Sequence, residues 1–379
     1  MNKDIIKITK YDVLDKLPDP FIFENGDRVN TKEDWNKRKK EIYNTAVEFQ
    51  YGTMPPNPEF LEIEELFISG KRKNYRIITG TKENPVIFSM YVFLPNKDGK
   101  FPVIIDGDMC FNYAFSESFI KTITENDIAY VLFDRTELAP DRYNDGKRIG
   151  QMYKTYPEYT FGALGAWAWG YSRCVDALEK LDITDLSLIS FTGHSRGGKT
   201  ALLAGVLDER AAIVNPNATC AGSGSCYRLH IEAETEDGDI ARSETLNDLA
   251  TNFPFWIGPE MLKYKEREKE LPFDCHFLKA MVAPRILFLS EAASDIWSNP
   301  VGSWQTTMAA TEVYKFLNAE ENVYWYFRPG YHYHDIKDLK MLISIIRNRF
   351  YGDEITEEFF KTPFEEPDLM FDFKNPKGL

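Results

Sequence analysis

Histidine is scarce in this chain: five among 379 residues, at positions 194, 230, 276, 332 and 334. Any chemistry that needs an imidazole has few residues to draw on. Cysteine is equally sparse and odd in number, with five at 110, 174, 220, 226 and 275. Such scattered residues fit reduced core thiols better than a disulfide framework. Only Cys220 and Cys226 stand close enough in sequence to suggest a bond, and then only in an exported protein. No Cys/His cluster has zinc-site spacing, and no metal is expected. Basic charge is also short. The formal net charge of −14 argues against a nucleic-acid partner, because such surfaces need clustered Lys and Arg. No run approaches the ~20 apolar residues that span a bilayer, so no membrane partner is expected. Residues 1–7 lack a signal-peptide pattern, which makes the cytoplasm the default expectation. Repeats and low-complexity tracts are missing too.

What is present is an ordinary globular balance, 43% hydrophobic and 27% charged, in a chain long enough for a large core. Residues 1–70 read as a helical and extended segment bracing that core. Leu17-Pro18-Asp19-Pro20 and Met54-Pro55-Pro56-Asn57-Pro58 punctuate it, and Thr31 caps a helix over about 32–49. Residues 71–379 read as one α/β domain. Strands are expected at 75–79, 86–93, 103–106, 127–134, 186–192, 211–214, 285–289 and 323–327. Helices are expected at 161–181, 201–207, 302–317 and 336–350. This alternation implies a mostly parallel sheet covered by helices on both faces. The stretch at about 228–279 breaks the rhythm. It reads as an insertion lying over the strand ends, where α/β folds bind ligands.

Gly193-His194-Ser195-Arg196-Gly197-Gly198-Lys199-Thr200 satisfies two patterns at once. It contains G-x-S-x-G, the nucleophile elbow of α/β-hydrolases, and G-x-x-x-x-G-K-[ST], the phosphate-cradling P-loop. A P-loop needs a magnesium-binding Asp, for which Asp134 stands at a strand end. It normally follows the first strand of its domain, however, and here at least four expected strands precede it. The elbow needs a histidine to take the serine proton and a carboxylate to orient that histidine. In α/β-hydrolases they follow in the order Ser, Asp or Glu, His. The strand at 285–289 runs into Ser290-Glu291-Ala292-Ala293-Ser294-Asp295, and the one at 323–327 into Arg328-Pro329-Gly330-Tyr331-His332. The residues therefore give Ser195 as nucleophile, Asp295 or Glu291 as the acid, and His332 or His334 as the base. His194, His230 and His276 read as structural and Asp274 as a helix cap, while Asp106-Gly107-Asp108, at a strand end, reads as a turn in preference to a lining of the site. The chemistry needs no cofactor.

Thr192-Gly193-His194-Ser195-Arg196-Gly197-Gly198-Lys199 resembles the G-C/H-S-R-x-G-K elbow of the glucuronoyl esterases, carbohydrate esterase family 15. Leu207-Asp208-Glu209-Arg210 is similar to the family's segment after the elbow helix. So are Ser243-Glu244-Thr245-Leu246 with Phe253-Pro254-Phe255-Trp256, Leu271-Pro272-Phe273-Asp274 with Ala283-Pro284-Arg285, Asp295-Ile296-Trp297-Ser298-Asn299-Pro300 and Arg328-Pro329-Gly330-Tyr331-His332. The likeness runs from about residue 17 to 350. It implies an α/β-hydrolase fold and cleavage of esters between 4-O-methyl-glucuronic acid and lignin alcohols. It further implies that Ser195 is the nucleophile and His332 rather than His334 the base, that the Arg196 guanidinium and backbone N–H bind the oxyanion, and that Lys199, Trp297 and, more weakly, Glu244 hold the uronate sugar. One departure is informative. Many fungal members place their acid where Ala218 stands here, so the role passes to Asp295, where bacterial members often carry theirs. The missing secretion signal shifts the expected partner from polymer to a small carbohydrate ester or oligosaccharide. The competing readings are an acetyl (xylan) esterase of the same fold, a non-catalytic carbohydrate-binding relative and, on the P-loop pattern, an NTPase.

Overall fold

Short apolar runs covered on both faces become parallel strands, and here they build the floor of the site. The computed structural model describes residues 7–376 apart from 143, 145, 146 and 236. Its strands in chain order are Ile8–Val13 (β1), Phe60–Ser69 (β2), Arg72–Gly80 (β3), Pro85–Phe93 (β4), Val103–Asp106 (β5), Ala129–Phe133 (β6), Ile189–His194 (β7), Ala211–Asn217 (β8), Leu229–Glu234 (β9), Ile240–Arg242 (β10), Ile286–Ala292 (β11) and Val323–Arg328 (β12).

Nine of them form one sheet in the order β12-β11-β8-β7-β5-β6-β4-β3-β2. From β6 to β12 the pairing is parallel. The strands β2, β3 and β4 add an antiparallel flank. Every residue of β5, β6, β7 and β11 is buried, as a central strand sandwiched between helices requires. Helices Ala163–Leu181, Arg196–Leu207, His276–Val282 and Pro300–Phe316 contribute to the apolar cluster on one face. Glu117–Thr124 and Ile336–Tyr351 contribute to the cluster on the other. Each fully buried Leu, Ile or Phe in these layers contributes ~1.5–3 kcal/mol. The mostly parallel, helix-covered sheet expected from the strand–helix alternation is the one present, and with it the α/β-hydrolase fold that the family resemblance implied.

The remaining strands form a small second sheet, β1-β9-β10, in which β1 and β9 run antiparallel. Local periodicity marks β9, whose apolar and polar residues alternate with its burial, but not β1: five of the six β1 residues are exposed, so no apolar alternation marks that strand. The same blindness applies to β2, exposed over most of its length. The main sheet therefore takes its outermost strand from before residue 71. The helix Lys32–Ile42 opens with the capping box of Thr31 and Asp34 and runs on through a π-helical turn, Tyr43–Glu48. Backbone bonds tie this flank to distant segments: Leu14 N donates to Arg228 O (2.9 Å) and Leu17 N to Met370 O (2.8 Å). The Arg28 guanidinium reaches Lys374 O at 2.8 Å. All five cysteines are free thiols, Cys220 and Cys226 included. Among the described residues no helix is long and apolar enough to cross a membrane, and no cluster of three His, Cys, Asp or Glu is placed to hold a metal ion.

Candidate active site

The turn from β7 into Arg196–Leu207 is too tight for ordinary side chains, and glycines make it possible. A Cβ on Gly193 would run into the backbone of Gly197, one on Gly197 into the Asp108 carboxylate, and one on Gly198 into the backbone of Asn217. Ser195 sits at the apex with φ 58 and ψ −120. A non-glycine residue held there stores ~1–3 kcal/mol of strain, a cost the surrounding packing must over-determine. Ser195 N donates to Asn217 O at 2.9 Å, which pins the apex to β8.

Two later loops meet this hydroxyl. The loop after β12 brings His332 Nε2 to 2.9 Å from Ser195 Oγ. The loop after β11 brings Asp295 Oδ2 to 2.6 Å from His332 Nδ1. A carboxylate at Nδ1 fixes the proton there and leaves the Nε2 lone pair facing the serine. Asp295 is itself held by the Ser298 hydroxyl and by Ser298 N at 3.3 Å. The three side chains predicted to converge do so.

The two rivals stand elsewhere. Glu291 lies at the buried end of β11 with neither carboxylate oxygen hydrogen-bonded, so it bonds no histidine. Burial pushes its carboxyl up to about 8. His334 is buried with neither ring nitrogen bonded. Its ring packs on Tyr113 (5.1 Å between centroids), Phe119 (5.3 Å) and His194 (5.8 Å). Burial drives its pKa well below the ordinary histidine value. Replacing it with phenylalanine removes a buried, unsatisfied polar ring. Its folded-state pKa lies below the unfolded value, so wild-type His334 costs stability as pH falls below about 6.5. In thermal scans, His334→Phe is therefore expected to unfold no earlier than wild type at pH 7.5 and measurably later at pH 5. A parallel shift of both proteins would contradict this.

His194 is structural, as its sequence position suggested. Its ring nitrogen Nδ1 lies 2.6 Å from Asn217 Oδ1. Burial takes its pKa to about 3. Its ring lies 4.7 Å from that of His332, so it forms part of the bed on which the base rests. His276 is buried and bonds Pro18 O through Nε2 at 2.8 Å.

Asp108 requires a correction. It is no mere turn residue: its carboxylate lies fully buried beneath the elbow and accepts from His194 N at 2.7 Å. It also accepts from the Tyr113 hydroxyl and pairs with the buried guanidinium of Arg135. A strand-end aspartate in a D-G-D triplet gave only an ambiguous signal for this role.

Arg196 Nη1 meets Asp141 Oδ2 at 3.0 Å. Its guanidinium carbon lies 4.8 Å from the Trp256 ring centre and 5.5 Å from that of Phe253. Those two rings stack at 3.9 Å. Both come from the segment at about 228–279, which thus supplies side chains to the site. Lys199 and Glu244 form a buried ion pair at 2.7 Å, and Lys199 Nζ also bonds Ala221 O. Burial raises the Glu244 pKa, with the lysine opposing that shift. Glu244 N donates to Trp297 O at 3.0 Å, so the three expected sugar-binding residues are neighbours. Only the Trp297 ring is substantially exposed, at 37%.

Sequence reasoning passed over Arg328, the first residue of the R-P-G-x-H run. It is buried, bonds Asp338 Oδ2 through Nε at 2.8 Å, and donates to Pro329 O (3.2 Å), Tyr331 O (3.4 Å) and Tyr333 O. It thereby gathers the carbonyls on both sides of His332.

Over residues 77–318 the chain matches the family model described as "Glucuronyl esterase, fungi". It is 27% identical over 363 residues to 4-O-methyl-glucuronoyl methylesterase 1 of Wolfiporia cocos, covering 93% of this chain and 85% of that protein. Among solved structures it is similar to a carbohydrate esterase family 15 glucuronoyl esterase from Caldicellulosiruptor kristjansonii. The TM-score there is 0.84 with 29% identity, over 96% of this chain and 98% of that one. It also shares the fold of a glucuronoyl esterase serine-to-alanine mutant from Sporotrichum thermophile, solved in complex with methyl 4-O-methyl-β-D-glucopyranuronate. That likeness has a TM-score of 0.73 at 24% identity, over 93% of this chain and 91% of that one.

Proposed function

The chain belongs to the glucuronoyl esterase family, carbohydrate esterase family 15, whose members are carboxylic ester hydrolases, and from that premise we propose that it cleaves 4-O-methyl-glucuronoyl esters with Ser195, His332 and Asp295 as its triad. The observation that carries this reading is the unbroken relay from Asp295 Oδ2 through His332 to Ser195 Oγ, at 2.6 and 2.9 Å. His332 Nε2 takes the hydroxyl proton as Ser195 Oγ attacks the ester carbonyl. Asp295 stabilises the imidazolium that forms. The tetrahedral intermediate carries its charge on the former carbonyl oxygen, towards which the Arg196 backbone N–H and guanidinium donate. Such a donor is typically worth ~2.7–4 kcal/mol. Collapse breaks the bond to the alcohol, which leaves with the proton from His332. Water, activated by the same imidazole, then releases the uronate from Ser195.

The name of the Wolfiporia cocos relative and the ligand of the Sporotrichum thermophile structure support the uronate ester as substrate. The exposed Trp297 ring suits the face of a sugar. A panel of methyl and benzyl glucuronates, methyl galacturonate, acetylated xylo-oligosaccharides and p-nitrophenyl acetate tests the proposal. Glucuronate esters should be turned over with the highest kcat/KM. Turnover of acetylated sugars with none of glucuronates would make the protein an acetyl esterase of the same fold and overturn the substrate assignment.

A further inference from the structure

We infer that Asp141 is a positioning residue for this reaction: it holds the Arg196 guanidinium in place before the oxyanion forms. The inference rests on the reading of Arg196 given above. Arginine is a long side chain that loses much of its rotamer freedom when fixed. A donor ordered only in the transition state bears that loss there, so an effective oxyanion donor must be ordered beforehand.

The structure shows a cage that does this. Asp141 Oδ2 takes Arg196 Nη1 at 3.0 Å, and Asp141 Oδ1 takes Trp256 Nε1 at 2.9 Å. One carboxylate thus fixes the guanidinium edge and also the indole face on which the guanidinium lies. Arg196 Nε is buried without a partner. With Nε buried and one Nη1 N–H taken by Asp141, Nη2 and the second Nη1 N–H are left to a ligand. Asp141 is steadied from its far side, where Arg135 Nη2 stands 3.9 Å from Oδ2. Arg135 is in turn fully buried, paired with Asp108 under the elbow and flanked by the Phe111 and Trp167 rings, each 5.0 Å away. Charges of alternating sign therefore run Asp108, Arg135, Asp141, Arg196, from beneath the nucleophile to the oxyanion side. Asp141 touches neither Ser195 nor His332 in this network. Its effect on the reaction passes through Arg196.

A double-mutant cycle on methyl glucuronate tests this, with unfolding midpoints measured alongside. Asp141→Ala should lower kcat about 10- to 100-fold and leave KM within about twofold, because the neutral ground-state carbonyl gains little from the guanidinium. Arg196→Ala should lower kcat by more, on the order of 10²- to 10³-fold. In the Arg196→Ala background, removing Asp141 should change kcat less than about twofold, since the group it positions is gone. Should Asp141→Ala fail to fold, the isosteric Asp141→Asn carries the same cycle with a smaller first step. Independent losses that multiply in the double variant, or a rise in KM without a fall in kcat, overturn the positioning role while leaving the triad intact. An Arg196→Ala enzyme with unchanged kcat would instead remove the oxyanion reading itself.

Discussion

Ser195→Ala should abolish turnover of methyl or benzyl glucuronate, with kcat falling by roughly four to six orders of magnitude. The size of the loss follows from the chemistry. Without the hydroxyl there is no acyl-enzyme, and a bound water would have to be aligned by a site shaped around a serine oxygen. What remains is the contribution of oxyanion donors and binding. The fold should survive, because alanine occupies the strained apex about as well as serine and the backbone bond from position 195 to Asn217 O is kept. An unchanged unfolding midpoint together with lost labelling by a fluorophosphonate would complete the result. Full activity in the alanine variant would end the nucleophile assignment.

Asp295→Asn should cost about 10⁴-fold in kcat, while Glu291→Gln should stay within a few-fold of wild type. The first figure reflects tautomer control. An amide at 2.6 Å from His332 Nδ1 can present its N–H₂ to that nitrogen. The proton then moves to Nε2, and the imidazole can no longer accept from Ser195. The second reflects isolation. Burial holds the Glu291 carboxyl above its usual range, against the Ser303 hydroxyl and the Lys279 charge, and it bonds no histidine, so an isosteric amide leaves the relay untouched. Steady-state kinetics on both variants separate the two acids. A collapse in Glu291→Gln with Asp295→Asn near normal would reverse the assignment.

How far the sequence reaches differs between the chemistry and its supports. The elbow, the order of the triad and the strands that present it were legible, because each depends on a local pattern: glycines where a Cβ cannot fit, and an apolar strand ending in a polar loop. Asp295 and His332 could be preferred over their neighbours only through the family resemblance, and their geometry has a simple cause. Each lies in the loop beyond its strand, whereas Glu291 still belongs to β11 and His334 is turned into an aromatic pocket. Arg328, Arg135 and Asp141 were invisible as supports and Asp108 was ambiguous, because a buried charge is recognisable only from partners far away in sequence. The small β1-β9-β10 sheet was missed for a related reason. β1 shows water along most of its length, and its pairing with β9 joins segments more than two hundred residues apart, so no window of sequence contains the evidence for it.

That pairing has a consequence for how the molecule is made. Residues 8–17 leave the ribosome long before the acceptors they need, Arg228 O and Met370 O. The first of those bonds must wait for more than two hundred further residues to be made, so this flank is tied down only by segments that the chain supplies later.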